Sequence, residues 1–131
     1  EADKPYFGIC IGYQILFDHS EEFEGADGLG ILAGKVIRFP RNDLKVPHMG
    51  WNALDLVDRS DPLWHGLPEN PHVYFVHSYY PQPEDDAVVS AHCDYGLRFA
   101  AAARKGNIVG TQFHPEKSQA LGLGILRNFT L

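Results

Sequence analysis

Little in this 131-residue sequence offers cross-links or a route across a membrane. It holds two cysteines, Cys10 and Cys93, one methionine and two tryptophans. Two cysteines are too few for a disulfide framework; a reducing, cytoplasmic setting is expected. No apolar run approaches the roughly 20 residues that span a bilayer. The charged start Glu1-Ala2-Asp3-Lys4, ahead of a short apolar stretch, is not the pattern of a secretory signal. Nor is there an excess of positive charge: the formal net charge is -6 and no basic patch offsets it, which argues against nucleic-acid binding. Repeats, linkers and low-complexity tracts are absent, and 44% of the residues are hydrophobic against 21% charged. That composition suits one globular domain over residues 1–131 with a real core. Opening almost directly on a strand and without an initiator methionine, the chain reads as a piece of something longer.

The hydrophobic pattern predicts an α/β fold with helices at both ends and a strand-rich middle. Pro5 to Ile9 reads as a short buried strand and Gln14 to Phe17 as an amphipathic helix with an acidic exit over Ser20 to Gly25. Gly28 to Gly34 reads as a loop, and Lys35 to Phe39 as a half-exposed strand that stops at Pro40. Pro47 to Asn52 is expected to be a loop. Asp61 is placed to cap a short helix through Leu67, with Pro62 in its first turn. Strands are predicted at Val73 to Tyr79, Ala87 to Cys93, Ala100 to Arg104 and Asn107 to Phe113. The spacing of Leu121, Leu123, Ile125, Leu126 and Phe129 predicts a final helix over 118–131.

Two distant segments carry reactive groups. Gly8-Ile9-Cys10-Ile11-Gly12 puts a cysteine between glycines where a strand gives way to a helix, as a nucleophile elbow requires. A helix start favours the thiolate, and the Ile11 N–H would face an oxyanion. Gln112-Phe113-His114-Pro115-Glu116 supplies an imidazole and a carboxylate two residues apart. A free cysteine alone is most often a small buried hydrophobe. Nucleophile, base and orienter together point to acyl transfer by a cysteine enzyme.

These two motifs, extended through Tyr13-Gln14, resemble the signatures of the class I (triad) glutamine amidotransferases. Pro47-His48-Met49-Gly50-Trp51-Asn52, Tyr74 to Tyr80, and Gly110 to Gln119 resemble the branch serving histidine biosynthesis. The similarity covers essentially the whole chain. It implies a flavodoxin-like open mixed sheet flanked by helices, with the N-terminal part of the family's domain missing. It also implies that Cys10 attacks the side-chain amide of glutamine, His114 relays protons and Glu116 orients His114. Ile11, Gly12, Gln14, Glu22, Ser78 and Tyr79 match substrate-binding positions. His48, Met49, Gly50, Trp51, Asn52 and Lys117 match a face that docks on a (β/α)8-barrel cyclase subunit, which receives the ammonia. No cofactor or metal is implied. Read from the residues alone, Glu22 is a solvated charge and Gln14 a helix-surface amide.

The sequence departs from the family at Ile11, where leucine is usual, and at Tyr13, where methionine or histidine is common; Tyr13 is expected to bring a hydroxyl near the site. The family's Pro-Gly-x-Gly loop, which contributes to the oxyanion hole, does not occur in these residues. His77 is placed near the substrate grip, while His19, His65, His72 and His92 are expected at the surface or in turns and Cys93 in the core. Two alternatives stand beside the leading reading. One is a class I domain serving carbamoyl phosphate or purine synthesis, and the other is a non-catalytic fragment that only binds the partner.

Overall fold

The computed structural model of the protein describes residues 5–22, 25–39 and 46–130. The acidic Phe23-Glu24 stretch, the Pro40 strand stop and the two chain ends named above lie outside them. Among the described residues the chain forms eleven strands, β1 to β11, and two α-helices.

The main sheet has five strands in the order β1-β11-β10-β9-β6: Tyr6–Ile9, Ile108–Thr111, Arg98–Lys105, Val89–Asp94 and Asp55–Leu56. Its β1–β11 pair is parallel and the other pairs are antiparallel, so the sheet is mixed as expected. A second sheet runs β3-β2-β4-β8, built from Ala26–Asp27, Phe17–Ser20, Leu32–Arg38 and Tyr79–Pro83. The third is the pair β5–β7, His48–Ala53 with His72–His77.

Three local expectations are corrected. The first helix, α1, spans only Ile11–Gln14, and Phe17 already belongs to a strand. Ile15-Leu16-Phe17 is an apolar run that suits either state. The turn closes when Leu16 N–H bonds Tyr13 O, and Leu16 O then accepts Leu32 N–H at 2.9 Å, committing the chain to the sheet with β4. The glycine-punctuated loop is shorter than expected, since β4 begins at Leu32. Pro47 to Asn52 is no loop from His48 onward but part of β5, paired from His48↔His77 to Ala53↔His72. That partner is distant in sequence, and the turn-like composition hid it.

The other predicted elements fall close to their places, whereas β3, β6 and β8 had no counterpart in the sequence pattern. Asp61 accepts Leu63 N–H at 2.9 Å and caps a 3₁₀ turn over Pro62–Trp64. The final helix, α2, covers Gln119–Thr130, with Ile125 fully buried. The predicted Ala87-to-Cys93 strand starts late, after a 3₁₀ turn over Asp86–Val88.

The core divides into two apolar clusters that meet at β10. The larger gathers Phe39, Phe75, Phe99, Phe113 and Ile125 among others; the smaller gathers Tyr13, Leu16, Phe17, Leu32, Val36 and Ala103. Ala100 to Ala103 are all buried, because a central strand covered on both faces has room only for small side chains. Gly110 on β11 serves the same need: a Cβ there would lie 2.3 Å from Cδ1 of Tyr13. The ring of Tyr13 covers that gap, and its hydroxyl donates to Ala100 O at 2.9 Å. The Tyr13 hydroxyl is therefore a core group and not a site group.

Candidate active site

Parallel pairing explains how segments a hundred residues apart meet. Gly8 pairs with Gly110 and Ile9 with Thr111, so Cys10 and Gln112 to His114 leave the same end of neighbouring strands. Cys10 N–H completes the ladder on Thr111 O at 2.8 Å. The chain then turns at Cys10 with φ 56° and ψ -103°, a backbone state that costs a non-glycine residue about 1–3 kcal/mol. It is held by Cys10 O, which accepts Tyr13 N–H at 3.1 Å and Gln14 N–H at 3.0 Å. A Cβ at position 8 would stand 2.2 Å from Gly12 O, so the close passage of strand and helix requires glycine. Tyr6 Oη donates to that same carbonyl at 2.9 Å. The elbow is built as its sequence predicts.

The electrostatics of the thiol differ from expectation. Burial pushes the Cys10 thiol above its ordinary range, and the Glu22 and Glu116 carboxylates add to the rise. The Ile11 N–H and the Gln112 amide pull the other way, but the net direction is upward. A one-turn helix has little dipole to oppose desolvation.

His114 is positioned by its backbone. Its N–H bonds Tyr74 O at 2.9 Å, and its carbonyl accepts Ser118 Oγ at 2.7 Å, while that hydroxyl accepts Tyr74 N–H at 3.0 Å. A 3₁₀ turn over Pro115–Lys117 carries Glu116 back toward the ring, and Nδ1 of His114 meets Oε2 of Glu116 at 2.8 Å. With Nδ1 so engaged, Nε2 is the nitrogen left to exchange a proton. The thiol itself contacts Val76 O at 3.9 Å and Gln112 Nε2 at 3.6 Å, so sulfur and imidazole are not directly hydrogen-bonded in this state.

Beside the elbow, Ile11, Gln14, Ile15, Ser20, Glu22 and Gly28 line a cleft of about 80 Å³. Glu22 N–H is tied to Ser20 Oγ at 3.1 Å. Gln14, read from sequence as a surface amide, is buried. Its Nε2 donates to Tyr79 O at 3.2 Å and to Gln112 Oε1 at 3.0 Å. The Tyr79 carbonyl also accepts from His77 Nδ1 at 2.8 Å, and Ser78 O accepts Phe39 N–H at 3.1 Å. Gly12 takes no side-chain part; its carbonyl serves Tyr6. The residue that sequence reasoning missed is Gln112, fully buried between Cys10 and Gln14. Along the chain it is only the first letter of the histidine motif, and a polar residue between a glycine-rich strand and an aromatic gives no sign of its direction.

The residues matched to a partner face divide into two sets. Met49 and Trp51 are 58% and 49% exposed, and Lys117 is exposed as well. His48 is turned inward, stacked between Phe75 and Tyr95, so its side chain offers nothing to a partner. Asn52 is half-buried and bonds His48 Nε2 at 3.2 Å and Asp94 O at 3.1 Å. Gly50 is half-buried with φ 122°. Of the other histidines, His19, His65 and His72 are exposed, whereas His92 is half-buried on β9 with Nδ1 lacking a partner. Cys93 is a core residue. Among the described residues no group of three or more histidine, cysteine or carboxylate side chains is arranged to hold a metal, and no helix is long and apolar enough to cross a membrane.

Solved structures share this mixed α/β fold. PurLQS from Thermotoga maritima superposes with a TM-score of 0.71 at 18% identity, over 98% of this chain and 62% of that one. A glutamine amidotransferase from the same organism gives 0.65 at 19% identity, over 98% and 48%. At these identities the likeness shows the fold.

The family model described as glutamine amidotransferase class-I matches residues 1–131, and the chain belongs to that family. Among curated proteins it is similar to the imidazole glycerol phosphate synthase subunit HisH of Syntrophotalea carbinolica, 53% identical over 98% of this chain and 65% of that protein. The HisH protein of Methanosarcina barkeri is 52% identical over 98% and 63%. The chain thus spans under two thirds of the length of the curated relatives it matches.

Proposed function

We propose that this chain carries the glutaminase chemistry of an imidazole glycerol phosphate synthase. The observation that supports the reading best is the strained Cys10 elbow set beside the 2.8 Å His114–Glu116 pair. In this reading His114 Nε2 takes the Cys10 proton as the sulfur attacks the side-chain amide carbon of glutamine. The Ile11 N–H, already directed at the sulfur, stabilises the oxyanion. Collapse breaks the C–N bond, His114 returns the proton to the leaving ammonia, and a γ-glutamyl thioester remains. Water, deprotonated by His114, then releases glutamate. Glu116 keeps the imidazole oriented and balances its charge.

Glu22 and Gln14 suit the substrate's ammonium, because both carry acceptor oxygens and line one cleft. The exposed Met49 and Trp51, with Lys117, suit a docking face for a (β/α)8-barrel cyclase, which uses the ammonia to make imidazole glycerol phosphate and AICAR. The work of such an enzyme is cytoplasmic, in histidine biosynthesis. Identity to HisH proteins at about half of all positions favours this over carbamoyl phosphate or purine synthesis.

Glutamate release from glutamine, measured with the cyclase and its nucleotide present, tests the reading. Release that vanishes in Cys10→Ala is expected. Equal release in that variant would overturn the role of Cys10, and no release from a chain extended to its relatives' full length would overturn the reading as a whole.

A further inference from the structure

Three polar groups around the nucleophile form one ordered chain, and its direction can be deduced. It begins at Tyr79 O, a carbonyl, which can only accept. Gln14 must therefore present its NH₂ to Tyr79, at 3.2 Å, and the same nitrogen reaches Gln112 at 3.0 Å. Gln112 must answer with its oxygen. Its own NH₂ is then left facing Cys10 Sγ, at 3.6 Å. One backbone carbonyl thereby settles the orientation of two side-chain amides, which are otherwise ambiguous between oxygen and nitrogen.

We infer that Gln112 is a positioning residue for the nucleophile, holding the Cys10 sulfur with its NH₂ while its oxygen turns the Gln14 amide to face the cleft oxygen-first. Both parts follow from the same network. A donor aimed at sulfur favours the thiolate and restrains the side chain on a backbone that is already strained. Both hydrogens of Gln14 Nε2 are directed inward, so Oε1 is what Gln14 has left for a ligand. Together with Glu22 on the same cleft, it forms an acceptor pair for a cationic amine. Gln112 is fully buried and Gln14 nearly so, which shields the network from competing water. The thiol half stands on geometry alone; the ligand half rests on the glutaminase reading above.

Gln112→Met keeps the length of the side chain and removes both polar ends, and Gln112→Glu keeps the shape but replaces the donor. In each, the pH midpoint for iodoacetamide alkylation of Cys10, followed peptide by peptide, is expected to rise by about one unit, a tenfold fall in rate at fixed pH below the midpoint. KM for glutamine is expected to rise as well, since Gln14 is released to turn. A merely structural Gln112 would lower stability and leave the midpoint of folded protein where it was; that outcome overturns the inference. Should neither variant fold, wild-type protein decides: the Gln112 side-chain NH₂ resonances shift in step with thiol deprotonation, and resonances unmoved through that titration overturn it equally. Alkylation needs no turnover, so a failed glutaminase assay with a shifted midpoint would sink the functional reading and leave this one standing.

Discussion

His48 and His77 face each other across β5 and β7 with Nδ1 and Nε2 3.0 Å apart, both buried. The surrounding bonds assign their protons. Asn52 Nδ2 donates to His48 Nε2, so His48 carries its hydrogen on Nδ1 and gives it to His77 Nε2; His77 Nδ1–H goes to Tyr79 O. Both rings are neutral, and a proton added to either would have no acceptor. Burial lowers His48 to about 4 and His77 to about 3, with the neighbouring imidazoles of His48 and His114 contributing at His77.

The pair should make stability fall in mild acid. Folded-state values lie below the unfolded histidine value, so the unfolded chain binds more protons between them and stability falls as pH drops from about 6.5 toward 4 for His48 and toward 3 for His77. The contribution is fully present above pH 6.5. A loss on the order of 2 kcal/mol per imidazole is expected by pH 5. Urea unfolding at pH 7 and pH 5 measures it, and the His48→Gln/His77→Gln double variant should show a clearly smaller difference between the two.

Tyr13 and Gly110 should behave as a coupled pair. Gly110→Ala forces a methyl into the ring of Tyr13 and is expected to cost several kcal/mol. Tyr13→Phe, which only strands the bond to Ala100 O, should cost about 1–2 kcal/mol. In Gly110→Ala/Tyr13→Leu the penalties should fall short of additive, because the smaller side chain makes room for the methyl. Additive penalties in chemical denaturation would contradict the packing described.

The two cysteines should differ sharply in reactivity. Cys10 is half-buried at the elbow, whereas Cys93 is in the core and its thiol is pushed up to about 12 by burial and the Asp94 carboxylate. Iodoacetamide at pH 8 should label Cys10 and spare Cys93 until the protein unfolds. Cys10 labelling should climb through and beyond neutral pH, since its own thiol is raised. Peptide mass spectrometry distinguishes the two sites.

Substitutions on the exposed edge should separate from those beneath it. If the proposed docking on a cyclase holds, Trp51→Ala and Lys117→Ala are expected to weaken that binding about 5- to 100-fold while leaving alkylation of Cys10 little changed. His48→Ala removes a buried ring stacked on Phe75 and Tyr95, and its effect should appear as lost stability. Titration calorimetry and thermal unfolding on the same variants would show whether the two effects part in this way.

Much of the candidate site was legible because it depends on local spacing. Gly8, Cys10 and Gly12 specify a tight strand-to-helix turn, and His114, Pro115 and Glu116 specify a ring and a carboxylate brought together by one short turn. The Asp61 cap and the apolar spacing of α2 are local too. Gln14 misled, because its burial comes from Tyr79 and Gln112, neither of them near it in sequence. His48 misled similarly: its place between proline and methionine looked like a loop, and only pairing with His77 turns it inward.

The sequence by itself determined the Cys10 and His114–Glu116 motifs, the class of the fold and the positions of about half the strands, since each rests on contacts a few residues long or on periodicity along one segment. Tertiary structure alone decided how those pieces face one another. It brought Cys10 and Gln112 side by side through the β1–β11 register, ended α1 after one turn in favour of β2, and raised the thiol by burying it. Register, burial and desolvation are properties of neighbours in space, and no reading along the chain contains them.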